Sequence, residues 1–308
     1  MNVDESTMLN SVAASHNKIV TILGVTGNIS VYDKNLERIT VIKNVAVQPV
    51  AISYFENYFY IGDWAGQKII TLNEVTLDLA HYGVWDAQRA SKSELLGFIK
   101  AQFLEKKFLE KKLKMSKSVF LIELLYKFIC SPKNFLNTYK TFLDHPIKLS
   151  KPDGFLFYKN IVVVSQHYGH CLKGFTQNFD CEVFEVPNVR FPSGMLKLGE
   201  NIYVCQPVEN NIKVFDLKWN FLCDLKPPDT DAFSGFYPFA MTSVGEESEL
   251  YVCGGDSVVR IDVKTRTYEQ KPVFSLVGCE FHGIDLVDDE ILIANRASNN
   301  LVKLSART

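Results

Sequence analysis

One block of sequence recurs six times along the chain, and that recurrence restricts the fold more than any other feature. Its clearest copy is PSGMLKLGENIYVCQPVENNIKVFDLKWNFLCDL, residues 192–226. It reads as a small residue after a turn, a strand, a tight Glu-Asn turn, a second strand, a polar loop and two further strands. Other copies begin at Leu9, Pro49, Pro152, Pro238 and Phe281, and their small residues fall at Ser11, Ala51, Gly154, Gly194, Ala240 and Gly283. In five copies nine positions separate that residue from the second strand's final quartet, at Val20, Tyr60, Val163, Tyr203 and Leu292. In the copy after Pro238 the turn Gly-Glu-Glu-Ser-Glu puts Tyr251 eleven positions away.

The intervals between the small residues are 40, 103, 40, 46 and 43. Four short strands in roughly 40 residues is the period of a β-propeller blade, and six such units close a ring. The long interval exceeds one repeat by 63 residues, which matches the charged segment between blades two and three. The expected organisation is an all-β, six-bladed β-propeller with an α-helical insertion: residues 1–83 for blades one and two, 84–150 for the insertion, 151–308 for blades three to six. The last copy stops at Thr308 after three strands, so Met1–Met8 is predicted to supply the outer strand of blade six.

The repeat resembles the NHL family, whose blades read Pro-x-Gly-hydrophobic, a YVAD-like strand, a polar loop and an I-x-VF strand. Tyr203-Val204-Cys205-Gln206 and Ile212-Lys213-Val214-Phe215 carry the likeness best. The resemblance implies the fold and leaves the function open, because propellers of this kind include lyases, lactonases and binding modules.

Apolar residues make up 47% of the chain and charged ones 22%, enough for a packed core. A net charge of −2 removes any general electrostatic argument for nucleic-acid binding. The N-terminus MNVDESTMLN has no basic segment followed by an apolar one, and no stretch approaches a membrane span. A soluble, cytoplasmic protein is expected. Seven cysteines, odd in number and without a CxxC pair, fit reduced buried thiols.

Within the insertion, Ser91-Lys92-Ser93-Glu94 has the form of a capping box, which predicts a long helix. Ser131-Pro132 reads as the start of a second, ending before Pro146. Eight lysines against three glutamates between Lys92 and Lys117 make the first helix basic, and Val119–Cys130 is strongly apolar. Three readings stay open: a solvated helix covering the propeller, contact with an anionic membrane surface, or a docking arm for a protein partner. Lys106, Lys107, Phe108, Lys111, Lys112, Phe120 and Leu124 are the candidate partner-binding residues.

The residue before each small position should project into the mouth of the central channel: Asn10, Val50, Asp153, Ser193, Phe239 and His282. Phe281-His282-Gly283-Ile284 resembles the zinc-binding Pro-His-(Ser/Gly)-Leu context of peptidylglycine lyase propellers, with Asp153 as a second candidate ligand for a divalent metal. No third ligand stands in line, whereas a catalytic zinc wants about three from the protein. The ends of the second strands give another polar ring, so Asp63, Trp64, Asp153, Gln166, His167, Gln206, His282, Asn295 and Arg296 are candidates to hold a small polar ligand. His167 and His170, three apart in a loop, lack a second ligand pair and read as locally hydrogen-bonded. There is no GxSxG, Walker loop, dinucleotide fingerprint or HExxH.

These features lead to an expectation of an NHL-like binding or scaffold propeller with the basic insertion as its partner-recognition element. The alternative is a metal-dependent lyase or lactonase-type hydrolase acting on a small polar substrate in the channel.

Overall fold

The computed structural model describes residues 8–64, 66, 68–82, 149, 151–244 and 249–305. The expected closing strand before Met8, the insertion helices and their basic patch lie outside the described residues. The rest forms six antiparallel sheets. Blade one is β1–β4 (Leu9–Ala14, Ile19–Leu23, Asn28–Tyr32, Arg38–Ile42) and blade two is β5–β8 (Pro49–Phe55, Tyr58–Asp63, Lys68–Asn73, Leu79–Tyr82). Blade three is β9–β12 (Pro152–Tyr158, Ile161–Gln166, Cys171–Thr176, Glu182–Val186) and blade four β13–β16 (Met195–Leu198, Asn201–Gln206, Asn211–Asp216, Phe221–Leu225). Blade five is β17–β20 (Ala240–Val244, Glu249–Gly254, Ser257–Asp262, Thr267–Tyr268) with β21 (Phe274–Ser275) also paired to β19. Blade six is β22–β24 (Phe281–Val287, Glu290–Asn295, Asn300–Ser305), three-stranded among the described residues.

Second strands such as Ile161-Val-Val-Val and Asn201-Ile-Tyr-Val-Cys are apolar on both faces because each blade packs between two others. Outer strands such as Glu182–Val186 are largely exposed and read polar on one side. Tight turns join first to second strands: Glu56-Asn57 and Lys159-Asn160 both adopt left-handed backbone, the two-residue geometry that matches strand twist. Six apolar clusters fill the six interfaces between neighbouring blades, the last built from Leu9, Val12 and Ile19 of blade one against Leu292 and Ala294 of blade six. The ring is therefore closed by side-chain packing between the first and last blades.

The small residue of the repeat marks where first strands converge on the axis. A Cβ on Gly154 would lie 2.3 Å from the Ser193 carbonyl oxygen of the next blade, and one on Gly283 would lie 2.7 Å from Ser11 Cα. In blades one, two, three and six the register skips one residue just before this position, leaving Asn10, Val50, Asp153 and His282 without a cross-strand partner. Such bulges re-aim a side chain out of the ladder. The residues expected at the channel mouth are thus mostly bulge residues, a feature of pairing that composition does not show.

First strands begin, second strands end and blade-to-blade loops cross at the same end of the ring, called here the upper end. The chain leaves β8 at Tyr82 on that end and is described again at Leu149, which is buried between blades two and three. Among the described residues no helix is long and apolar enough to cross a membrane. Six cysteines are free thiols; Cys171, Cys205 and Cys253 are buried as expected, whereas Cys181 is exposed at a hairpin. Cys130 lies outside the described residues.

Candidate functional site

The bulge residues bind neighbouring blades more than they line an opening. His282 packs its ring 3.6 Å, centroid to centroid, from Phe239 of blade five, and its Nδ1 lies 3.2 Å from the Asn10 carbonyl of blade one. A carbonyl can only accept, so the proton sits on Nδ1. Burial, the Arg296 guanidinium and His167 hold this imidazole well below its ordinary pKa, so it is neutral. Asn10 in turn donates from Nδ2 to the Pro49 carbonyl of blade two at 2.5 Å. Between blades four and five the link is backbone, Gly194 N to Phe239 O at 2.9 Å.

The second polar ring ties down loops. Asp63 is fully buried and accepts from Val47 N at 3.0 Å, Gln48 N at 2.8 Å and Gly66 N at 3.0 Å. Lys68 Nζ stands 3.8 Å from the same carboxylate. Gln206 donates to Arg190 O at 2.7 Å, and Asn295 accepts from Glu280 N at 3.3 Å while donating to Cys279 Sγ at 3.0 Å. Arg296 pairs with Glu280 at 3.1 Å, and Gln166 is fully buried. Buried polar groups must be bonded, and the loop entering each blade offers the free backbone groups. Asp63, Gln206 and Asn295 therefore serve the loops, not a common ligand pocket.

Trp64, Asp153 and His167 do come together, at the upper end between blades two, three and four. His167 Nδ1 lies 3.2 Å from Asp153 Oδ2 and 3.3 Å from the Pro192 carbonyl. Both are acceptors, so Nδ1 carries the proton and Nε2 is the basic nitrogen. The surroundings of this pair have no counterpart among the residues expected from the sequence. Lys151, almost fully buried, places Nζ 3.4 Å from the Trp64 ring centroid and 3.9 Å from that of Tyr168. Its carbonyl accepts His167 N at 3.1 Å, so one residue fixes both the backbone beside the imidazole and the rings flanking it.

A line of rings continues from there. Trp64 to Tyr168 is 5.4 Å, Tyr168 to Phe191 is 6.2 Å and Phe191 to His170 is 4.4 Å, with His167 5.4 Å from Phe191. His170 Nδ1 accepts from Phe191 N at 3.2 Å. Lys151, His170 and Phe191 all have left-handed backbone, with φ of 56°, 51° and 46°. Bulky residues seldom sit there, and where they do the surrounding structure holds them. The only sequence signal for Tyr168 and Phe191 was their position in upper-end loops, which says nothing of mutual contact.

The metal expectation does not fit. Among the described residues no three His, Cys, Asp or Glu side chains converge to hold an ion. Asp153 is engaged by His167, and His282 points Nδ1 at a carbonyl with its ring against Phe239.

The chain matches no family model and no curated protein. Its fold is similar to solved propellers. A streptogramin B lyase structure is 12% identical with a TM-score of 0.59, covering 100% of this chain and 86% of that one. Virginiamycin B lyase from Staphylococcus aureus, in a catalytically inactive histidine-to-alanine form with quinupristin, is 12% identical with a TM-score of 0.60, covering 99% and 97%. Its selenomethionine form is 14% identical with a TM-score of 0.58. At these identities the likeness establishes the six-bladed propeller.

Proposed function

We propose that the chain is a binding propeller that captures a protein partner at its upper end, with the basic, apolar-flanked segment 84–150 as the distinctive recognition element. The observation that supports this reading is placement. The segment follows Tyr82 of blade two and its C-terminal attachment, Leu149, lies two residues before Lys151, which tethers that end beside the Trp64–Lys151–Tyr168 cluster. The free thiols suit a reducing cytoplasm. Replacing residues 86–148 by a short Gly-Ser linker should abolish partner capture in a pull-down while the propeller still unfolds cooperatively. Undiminished capture would sink the reading.

A second reading, a lyase-like activity, is favoured by one feature: the Asp153–His167 pair has the form of an oriented general base, with the carboxylate on Nδ1 and the lone pair on Nε2. The fold likeness to virginiamycin B lyase is compatible with it. Such a base acts without a metal of its own. Loss of quinupristin followed by liquid chromatography, with His167→Ala as the control, tests this reading. An unchanged antibiotic peak with the native chain rules out that substrate.

A further inference from the structure

We infer that the ring row Trp64–Tyr168–Phe191–His170 is a docking strip for an extended peptide segment of the partner, gripped through the segment's backbone carbonyls. The inference rests on the protein-binding reading and adds the chemistry of what is bound. Three observations carry it.

The row is contiguous across blades two, three and four, with neighbouring centroids 5.4, 6.2 and 4.4 Å apart. The path through these centroids is an upper limit on the span of the row, which therefore matches at most about four residues of extended chain. Trp64, Tyr168 and His170 are each half-buried and Phe191 is buried between them, so the accessible side of the row is formed by those three rings.

The rings at its two ends, Trp64 and His170, present donors. Trp64 Nε1–H is buried with no hydrogen-bond partner, a state that costs free energy unless something accepts from it. His170 uses Nδ1 to accept from Phe191 N, which leaves its proton on Nε2. Burial, with His167 and Arg190 nearby, lowers the His170 pKa and keeps that N–H on a neutral ring. Neutral donors set among ring faces suit carbonyl oxygens flanked by apolar side chains. A sugar would present as many donors as acceptors. An anionic ligand would want accessible cations, whereas Lys151 is almost fully buried against the Trp64 and Tyr168 rings and exposed Arg190 is paired with Glu209 at 2.8 Å.

The row is built where the repeat could have done without it. At the hairpin position of His170, blades four and six carry Asn210 and Asn299, residues that tolerate left-handed backbone readily. Blade three places an imidazole there, and a phenylalanine in the same region at 191.

The test uses the full chain and a displayed library of random 12-residue peptides, with the best binder measured by fluorescence anisotropy. Trp64→Phe keeps a ring and removes the donor; His170→Asn installs what blades four and six already carry. Each is expected to weaken binding about tenfold, the equivalent of one buried hydrogen bond, with the unfolding midpoint retained. Methylating the peptide's backbone nitrogens should cost less than replacing its amides by reduced, carbonyl-free links. The inference is overturned if no peptide is selected, if both variants bind the selected peptide as tightly as the native chain, or if cellohexaose competes and peptides do not. Peptide binding that survives while removal of residues 86–148 leaves capture intact would sink only the insertion's role. Capture lost on that removal, with no peptide binding, would sink only the strip.

Discussion

Asp285 sits on β22 of blade six, half-buried, and accepts from Ala14 N of blade one at 2.8 Å and from Leu286 N at 2.8 Å. It therefore bridges the seam where the last blade meets the first. Burial outweighs both backbone donors and pushes its carboxyl pKa up to about 6 from 3.8. A folded-state value above the unfolded one means that the folded chain takes its proton first as pH falls. Stability from this group is full below the unfolded value near 4 and is lost as pH rises through about 6. A shift of roughly two units corresponds to about 3 kcal/mol, and partial exposure reduces it to about 1–3 kcal/mol. Asp285→Asn removes the charge and keeps an oxygen that can accept from Ala14 N. Urea unfolding of both proteins between pH 4 and pH 8 reads the effect, and their difference cancels every other titrating group. The variant should gain on the native protein by about 1–3 kcal/mol as pH rises from 4 to 8. Parallel curves, or a variant that loses stability at pH 8 by as much as at pH 4, would refute the argument.

Glu74 gives the opposite sign: burial raises its carboxyl, but the Ser15 and Tyr54 hydroxyls and Lys18 outweigh that and hold it below its usual value. Its contribution is present above the unfolded pKa and lost as pH falls through the lowered one, and Glu74→Gln should cost about 1–3 kcal/mol near neutral pH in urea unfolding. Gly154→Ala pushes a methyl to 2.3 Å from the Ser193 carbonyl and should cost about 1–3 kcal/mol by the same measurement; a neutral result would mean that the first strands can part. His282 should stay neutral as pH falls through the ordinary imidazole range, so its ring nitrogen shifts in 15N NMR should not move there. A transition near the ordinary imidazole value would show that its burial between Phe239 and Asn10 is not maintained.

How much of the site could be read in advance differs residue by residue. Asp153, His167 and Trp64 stood out because their place in the repeat put them at strand ends near the axis, and they do meet. Asp63, Gln206 and Asn295 stood out for the same reason, yet they hold loop backbone, because a repeat position gives height along the ring and not the direction of a side chain. His282 looked like a metal ligand until its neighbours, Phe239 from one blade and Asn10 from another, were seen to occupy it. Lys151 and Phe191 carry no signal beyond their place in the loops, since left-handed backbone at a lysine or phenylalanine leaves no mark in composition.

The six blades, their strand order and the position of every small residue are legible in the repeat alone. Each blade is a local antiparallel meander whose turns and apolar strands lie within about 40 residues, so its pattern is written contiguously. Which residues share a site depends on how the blades pack around the ring. The ring brings Trp64, Lys151, His167, Phe191 and His170 together from three blades and across the inserted segment. Contacts of that kind depend on the angle between blades and on single-residue bulges near the axis, and neither has a sequence period of its own.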